Sequence, residues 1–441
     1  MSKSRTHYSD AFDPDLKLED FEHSLLACYG REIMVANHIH DRSALVQVVI
    51  NYGMEAQTDV ACDEWMGSSP IYNARNRQLL NIEGDDVPTA FKCFQVDIGA
   101  PHNFLKFHYQ VDSSKEGYFW TTFCGPYNHV RRMTNADPQM ETQICHHMED
   151  PTFDATVMAV NPRMRCRPVF RPPHGEVPAG GPCRWRVAID HDIGLVEDNP
   201  TLDIVRTSEA ANFSFEEIVP DNDGQQDYNG PFKHDFVLED LAHNVLARQC
   251  KEFALDVHLL NRACYTSIAE RWGEETIVPM ELEQWRAFSP LVAHRLRSTF
   301  EISGDGMDAI LKVLQLNPFF PPEYLQLGFE LIDESRGRIW LSDCAALNEG
   351  QPRGITSLLT HYPETPGFDA LASAVNPQAI VRNINASDIP GAVHAWEIVI
   401  DPTADPAAPS DLAGLVSAKD LMELDNTAYQ YDYEQADGTT L

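Results

Sequence analysis

The sequence predicts an α+β protein of two homologous domains, each with helices packed on a small antiparallel sheet and the two related by a pseudo-twofold axis. Three observations carry this. "LKLEDFEHSLL" from Leu16 and "FVLEDLAHNVL" from Phe236 match at a shift of 220, and the register continues without a gap through His38/His258, Trp65/Trp285, Lys92/Lys312, Trp120/Trp340 and Cys124/Cys344. After small length differences, "FDATVMAVNP" meets "FDALASAVNP" at a shift of 215 and "CRWRVAID" meets "HAWEIVID" at 211. Each copy also runs through the same order of helical and alternating patterns. A period this long is no solenoid repeat, so the chain reads as a fused pair of domains that pack as a homodimer would.

The elements follow in order. Residues 18–61 carry apolar positions at helical spacing without proline, predicting one or two helices. "DEWMGSSPIYNARNRQLL" predicts a second helical stretch with a break near Gly67 and Pro70, and "VPTAFKCFQV" a short helix. "FLKFHYQVD" and "YFWTTFC" alternate around the turn residues "SSKEG", the signature of a hairpin, with "YLQLGFELID" and "RIWLSDC" as its counterpart. A helix follows over "FDATVMAV". "MRCRPVF" and "CRWRVAI" then predict a second hairpin closed by a Pro/Gly-rich loop, with Cys166 facing Cys183 across it. The resulting division is 1–190 for the first copy, 191–233 for an acidic, turn-rich linker, 234–401 for the second copy and 402–441 for an acidic tail.

The totals narrow the function. The 441 residues include 33 Lys+Arg against 67 Asp+Glu, a net charge of −34 that repels nucleic acid and anionic membrane surfaces. No apolar run is long enough to span a membrane, and the start lacks the apolar core of a signal peptide, so a cytoplasmic location is expected. Ten cysteines in such a chain read as packed thiols, ligands or nucleophiles rather than disulfides. Nothing matches a P-loop, a GxGxxG turn or a GxSxG elbow, which argues against a nucleotide cofactor.

The chemistry concentrates in "FCGPYNHVRRM" and "QICHHMEDPTFDA". Cys124 is matched by Cys344, His129 by Glu349, His146 by His361 and Glu149 by Glu364, so all four positions keep a possible metal ligand in both copies. Thiolate, imidazole and carboxylate suit zinc, and His/carboxylate mixtures suit iron or manganese. A strand-end Cys124 would face His146 and Glu149, which are three apart and share a helix face. The structural alternative is a buried strand-end thiol and histidines capping backbone carbonyls. Cys145 and His147 occur only in the first copy, where the second has Thr360 and Tyr362, so the first copy is the expected active one. Proton transfer falls to His147 or Glu149, and the rival is metal-free thiol chemistry with Cys145 or Cys124 as nucleophile and a neighbouring histidine as base. His38 lies in an apolar helical stretch, where a satisfied core histidine is the plain reading. Its neighbours His40 and Asp41, replaced by Leu260 and Asn261, keep it among the candidates.

Cys124, Asn128, His146, the "AVNP" turn and Cys183-x-Trp185 resemble the 4-vinyl reductase type of hydrocarbon-binding domain and the L-2-amino-thiazoline-4-carboxylic acid hydrolase-like proteins. The likeness covers each copy in element order but only these short motifs in residues. The chain departs from it in being doubled and in carrying His394 at the second copy's closing cysteine. The resemblance implies a pocket for an apolar or ring-shaped ligand, or metal-assisted hydrolysis of a cyclic C–N or C–S bond. The expectation is therefore an enzyme, a metal-dependent hydrolase or lyase acting on a small cyclic or apolar substrate at a divalent metal (Zn, Fe or Mn). A non-catalytic binding or sensor protein for a hydrophobic small molecule is the alternative. Neither nucleic acid nor membrane is an expected partner; the internal pseudo-dimer leaves room for further oligomerisation.

Overall fold

The computed structural model describes residues 4–221, 223–408, 410–416, 419–427, 429 and 431. The first copy opens with α1 (His23–Tyr52), reverses at Gly53 and returns along α2 (Met54–Leu79). Gly53 sits at φ 93°, where a side chain would be strained, so glycine makes the reversal in one residue. The predicted break near Gly67 and Pro70 does not occur, because α2 runs through both. The Ser68 and Ser69 hydroxyls donate to the Glu64 and Trp65 carbonyls at 2.6 Å, and packing on the second copy outweighs the one amide that proline removes. Gly67 serves close approach instead, since a Cβ there would lie 2.7 Å from Thr201.

α3 (Val87–Gln95) starts at Asp86, whose carboxyl accepts from Thr89 N at 3.0 Å. β1 (Leu105–Val111) and β2 (Glu116–Cys124) form the predicted hairpin. α4 (Gly125–Met133), α5 (Pro138–Thr142), a π-helical turn (Gln143–Met148) and α6 (Glu149–Met158) follow, then β3 (Met164–Phe170) and β4 (Cys183–Ile189). The antiparallel sheet has the order β1-β2-β4-β3. Cys183 stands opposite Thr121 on β2, and Cys166 opposite Val187, so the two cysteines do not face each other. The long closing loop and the irregular pairing near Pro168 set a register that the sequence does not reveal.

Within 191–233 lie α7 (Pro200–Arg206) and α8 (Glu209–Asn212). The second copy repeats the plan as α9 (His243–Trp272), α10 (Ile277–Thr299), α11 (Met307–Gln315), β5 (Leu327–Asp333), β6 (Arg336–Ser342), α12 (Ser357–Thr360), α13 (Asp369–Val375), β7 (Ala379–Asn383) and β8 (Ala392–Ile400). Its sheet order is β5-β6-β8-β7. In the tail, α14 (Ala413–Val416) and α15 (Lys419–Met422) lie beside α10. Two α+β domains with separate four-stranded antiparallel sheets are thus present, as the repeat predicts.

The copies meet through α1 and α2 against α9, and α1 against α10, in a hydrophobic core that runs through both. Their symmetry is visible in paired contacts. His23 Nε2 lies 2.8 Å from Leu241 O, His243 Nε2 lies 2.9 Å from Phe21 O, and the two rings stand 6.2 Å apart. Each copy also extends an arm onto the other. Tyr8 donates to Gln315 Oε1 at 2.9 Å, and Tyr228 to Gln95 Oε1 at 2.9 Å. The arm amides of Tyr8 and Tyr228 donate to Phe300 O and Leu80 O at 2.8 and 2.7 Å. No helix among the described residues is long and apolar enough to cross a membrane.

Candidate functional site

The helices and sheet of the first copy enclose a cavity of about 160 Å³. Trp65 and Tyr72 from α2, Phe94 from α3, Phe107 from β1 and Phe153 from α6 supply aromatic walls. Cys124 and Thr121 on β2 and Cys183 on β4 add the sheet side, and Thr121 Oγ1 lies 3.2 Å from Cys183 Sγ. The floor of the loop after α3 is backbone. A Cβ on Gly99 would come within 2.5 Å of the Trp65 ring, so only glycine lets the indole lie there.

One histidine and three carboxyls from three parts of the chain line this space: His38 and Asp41 on α1, Asp97 after α3, and Glu149 at the start of α6. His38 Nε2 donates to Gly99 O at 2.9 Å, and burial pushes its pKa down to about 4, so the ring is neutral. Asp97 accepts from Tyr72 OH at 3.1 Å and from Gly99 N at 2.8 Å, yet burial still raises its carboxyl to about 6. Asp41 adjoins Glu64, which is fully buried on α2, and the two carboxyls face each other with the Cys264 thiol beside Glu64. Burial holds both acids above the usual carboxylate range, so the pair retains a proton. Burial raises Glu149 to about 7, against the lowering effect of Arg171.

The sequence-predicted residues divide between this cavity and other places. Cys124, Glu149 and His38 line it. Cys145 is buried behind it, its thiol pushed up first by burial and then by Glu149. Burial likewise raises Cys124 well above, and Cys183 up to about 12, so all three stand as neutral thiols. His146 turns away, with Nε2 2.6 Å from Pro172 O, and His147 is exposed. The π-helical turn explains the separation of His146 from Glu149. It spends more residues per revolution than an α-helix, so residues three apart no longer share a face. His129 lies beside Arg132, with Nδ1 3.2 Å from Nη2, and burial lowers its pKa to about 3. Its counterpart Glu349 pairs with Arg262 at 3.2 Å and accepts from the Glu209 and Ala210 amides that open α8. Cys124 and Glu149 are therefore brought to one space, while His129 and His146 make their contacts outside it. Among the described residues no three His, Cys, Asp or Glu side chains gather as a metal-binding set.

Asp41, Asp97, Tyr72, Trp65, Thr121 and Cys183 complete the site without having been singled out for it. The signal lay in where the copies differ. At the shift of 220, Asp41 becomes Asn261, Glu64 becomes Gln284, Asp97 becomes Asn317, and Gly99-Ala100 becomes Phe319-Phe320. In the second copy the Phe320 ring packs 5.7 Å from Trp285 and 6.5 Å from Phe368, the counterparts of the cavity walls Trp65 and Phe153. Phe319 packs on Trp285 and Phe288 at 6.3 and 4.5 Å. Two phenylalanines thus occupy the region that glycine and alanine leave open in the first copy. Comparison of the chain with protein-family models, with characterised proteins and with solved structures finds no match.

Proposed function

We propose that the first copy binds a compact organic molecule in this cavity and acts on it by proton transfer at Glu149, the second copy being its structural partner. The observation that supports the reading is the pairing of an aromatic-walled cavity in one copy with Phe319 and Phe320 at the same place in the other. Its size is that of a single ring, since an apolar cavity of ~150 Å³ accepts benzene. Glu149 suits the chemistry because a carboxyl near 7 is present in both protonation states at neutral pH, the condition for an effective general acid or base. The neutral thiols of Cys124 and Cys183 in the wall, and of Cys145 outside it, suit packing better than nucleophilic roles.

The test is Ala100→Phe, which gives the first copy the side chain of Phe320. Binding of one-ring probes, followed by calorimetry, should fall at least tenfold while the fold, followed by circular dichroism, is kept. Glu149→Gln should bind the same probes within about threefold and, once a substrate is found, lose turnover by ~100-fold or more. Unchanged binding in Ala100→Phe would place the ligand elsewhere and end this reading. Full turnover in Glu149→Gln would favour another proton carrier.

A further inference from the structure

We propose that the molecule held in the first-copy cavity is a small organic cation, an ammonium bearing a compact apolar group, gripped by Asp41 and Asp97 against aromatic walls. The inference rests on the cavity being the functional site, and it adds the charge class of the ligand.

The lining carries three carboxyls, Asp41, Asp97 and Glu149, and no lysine or arginine. Its one basic side chain, His38, is neutral and already committed to Gly99 O. Behind Asp41 stands Glu64, fully buried, with the Asp41 carboxyl and the Cys264 thiol as its neighbours. Buried carboxyls cost stability when they ionise. An anionic ligand would be repelled here, and a neutral one would leave the ionised carboxyls without a countercharge in the lining. A cation satisfies them. The indole of Trp65 and the rings of Tyr72 and Phe153 are in the lining, and aromatic rings suit the apolar skirt of an ammonium group.

The second copy shows that the acids are not required by the architecture. Asp41, Glu64 and Asp97 are each replaced by the amide of the same size without the charge, Asn261, Gln284 and Asn317, while Glu149 is matched by a carboxyl in Glu364. The turn after the third helix survives the change, because Asn317 Oδ1 accepts from Phe319 N at 3.2 Å as Asp97 Oδ1 does from Gly99 N at 2.8 Å. Gln284 is better satisfied than Glu64. It donates to His40 O at 2.9 Å and accepts from Tyr265 OH at 3.0 Å. Charge has been removed at three positions in the copy whose space is filled, and retained at the same three in the copy whose space is open. Ligand charge accounts for that correlation. The net charge of −34 also favours the approach of cations over long range.

The experiment is calorimetric titration of the full chain at pH 8 with choline and with its neutral carbon isostere, 3,3-dimethylbutan-1-ol. Choline is expected to bind at least tenfold more tightly than the alcohol. In Asp41→Asn/Asp97→Asn, a pair of changes the second copy already tolerates, the preference should fall below threefold while the alcohol binds at least as well as before. Melting curves of the variant establish that it is folded. If the alcohol binds the unaltered chain as tightly as choline and Ala100→Phe blocks it, the cation inference fails and the cavity reading stands. If neither compound binds, or if Ala100→Phe binds choline unchanged, both fail.

Discussion

Asp97→Asn should make the protein more stable at neutral pH, and by an amount that grows with pH. The side chain is only 6% exposed, and burial raises its carboxyl from 3.8 to about 6. A folded-state pKa above the unfolded value means that the neutral acid is accommodated below pH 3.8, and that stability is lost as pH rises through 6. Two units correspond to ~3 kcal/mol once the group is ionised in both states. Asparagine removes that deficit and keeps the Gly99 turn bond, as Asn317 does for Phe319. It weakens the bond from Tyr72, at ~1 kcal/mol. The net gain at pH 8 is therefore ~2 kcal/mol, and near pH 4.5 the variant and the parent should be nearly equal. For a chain of 441 residues this is a rise of about 2 °C in the melting temperature. Guanidinium unfolding of both proteins at pH 4.5 and 8 measures the difference. A gap that stays constant between the two pH values, or a variant less stable at pH 8, would refute the assignment of the cost to a buried charge.

His102→Gln reports the opposite sign. Burial lowers the His102 pKa to about 4 although Nε2 donates to Gln95 O at 2.9 Å, so its stability contribution is intact above pH 6.5 and lost as pH falls towards 4. The stability difference between parent and variant should change by ~3 kcal/mol over that window, read from unfolding curves at several pH values. Tyr8→Phe and Tyr228→Phe each remove an arm bond to a glutamine, at 2.9 Å in both cases, and a bond from a backbone amide, Asp13 N at 2.8 Å or Lys233 N at 2.9 Å. The two should lower stability by a similar ~2 kcal/mol in denaturant titrations, and a much larger cost for one would mean that the arms are not equivalent.

The fold was legible because its signals are local and because they occur twice. The hairpin of β1 and β2 is written as alternation around "SSKEG", and the uninterrupted register of 220 states the pairing of domains directly. What failed were features set by packing across the molecule. Pro70 reads as a helix break in isolation, but α2, packed on the second copy, continues through it. The π-helical turn that rotates His146 away from Glu149 leaves no mark in residue spacing. Part of the cavity lining was legible. Cys124, Glu149 and His38 were found from their chemistry, and the first copy was favoured for its added Cys145 and His147. Agreement between the copies was used to rank the metal-ligand candidates, and of the four positions it picked, Cys124 and Glu149 line the cavity. The pocket acids Asp41 and Asp97 lie where the copies disagree.

The exchanged arms give the second copy a reason to persist after its own cavity has been filled. Tyr8 leaves the first domain to close over Gln315, and Tyr228 leaves the second to close over Gln95. Neither domain finishes its own surface, so neither is dispensable to the other. In a dimer encoded by one gene, every substitution is made in both halves at once, and plugging one pocket plugs both. A covalent junction breaks that constraint. Phenylalanines and amides can accumulate on one side while glycine and acids remain on the other, and an inherited symmetry becomes a division of labour along a single chain.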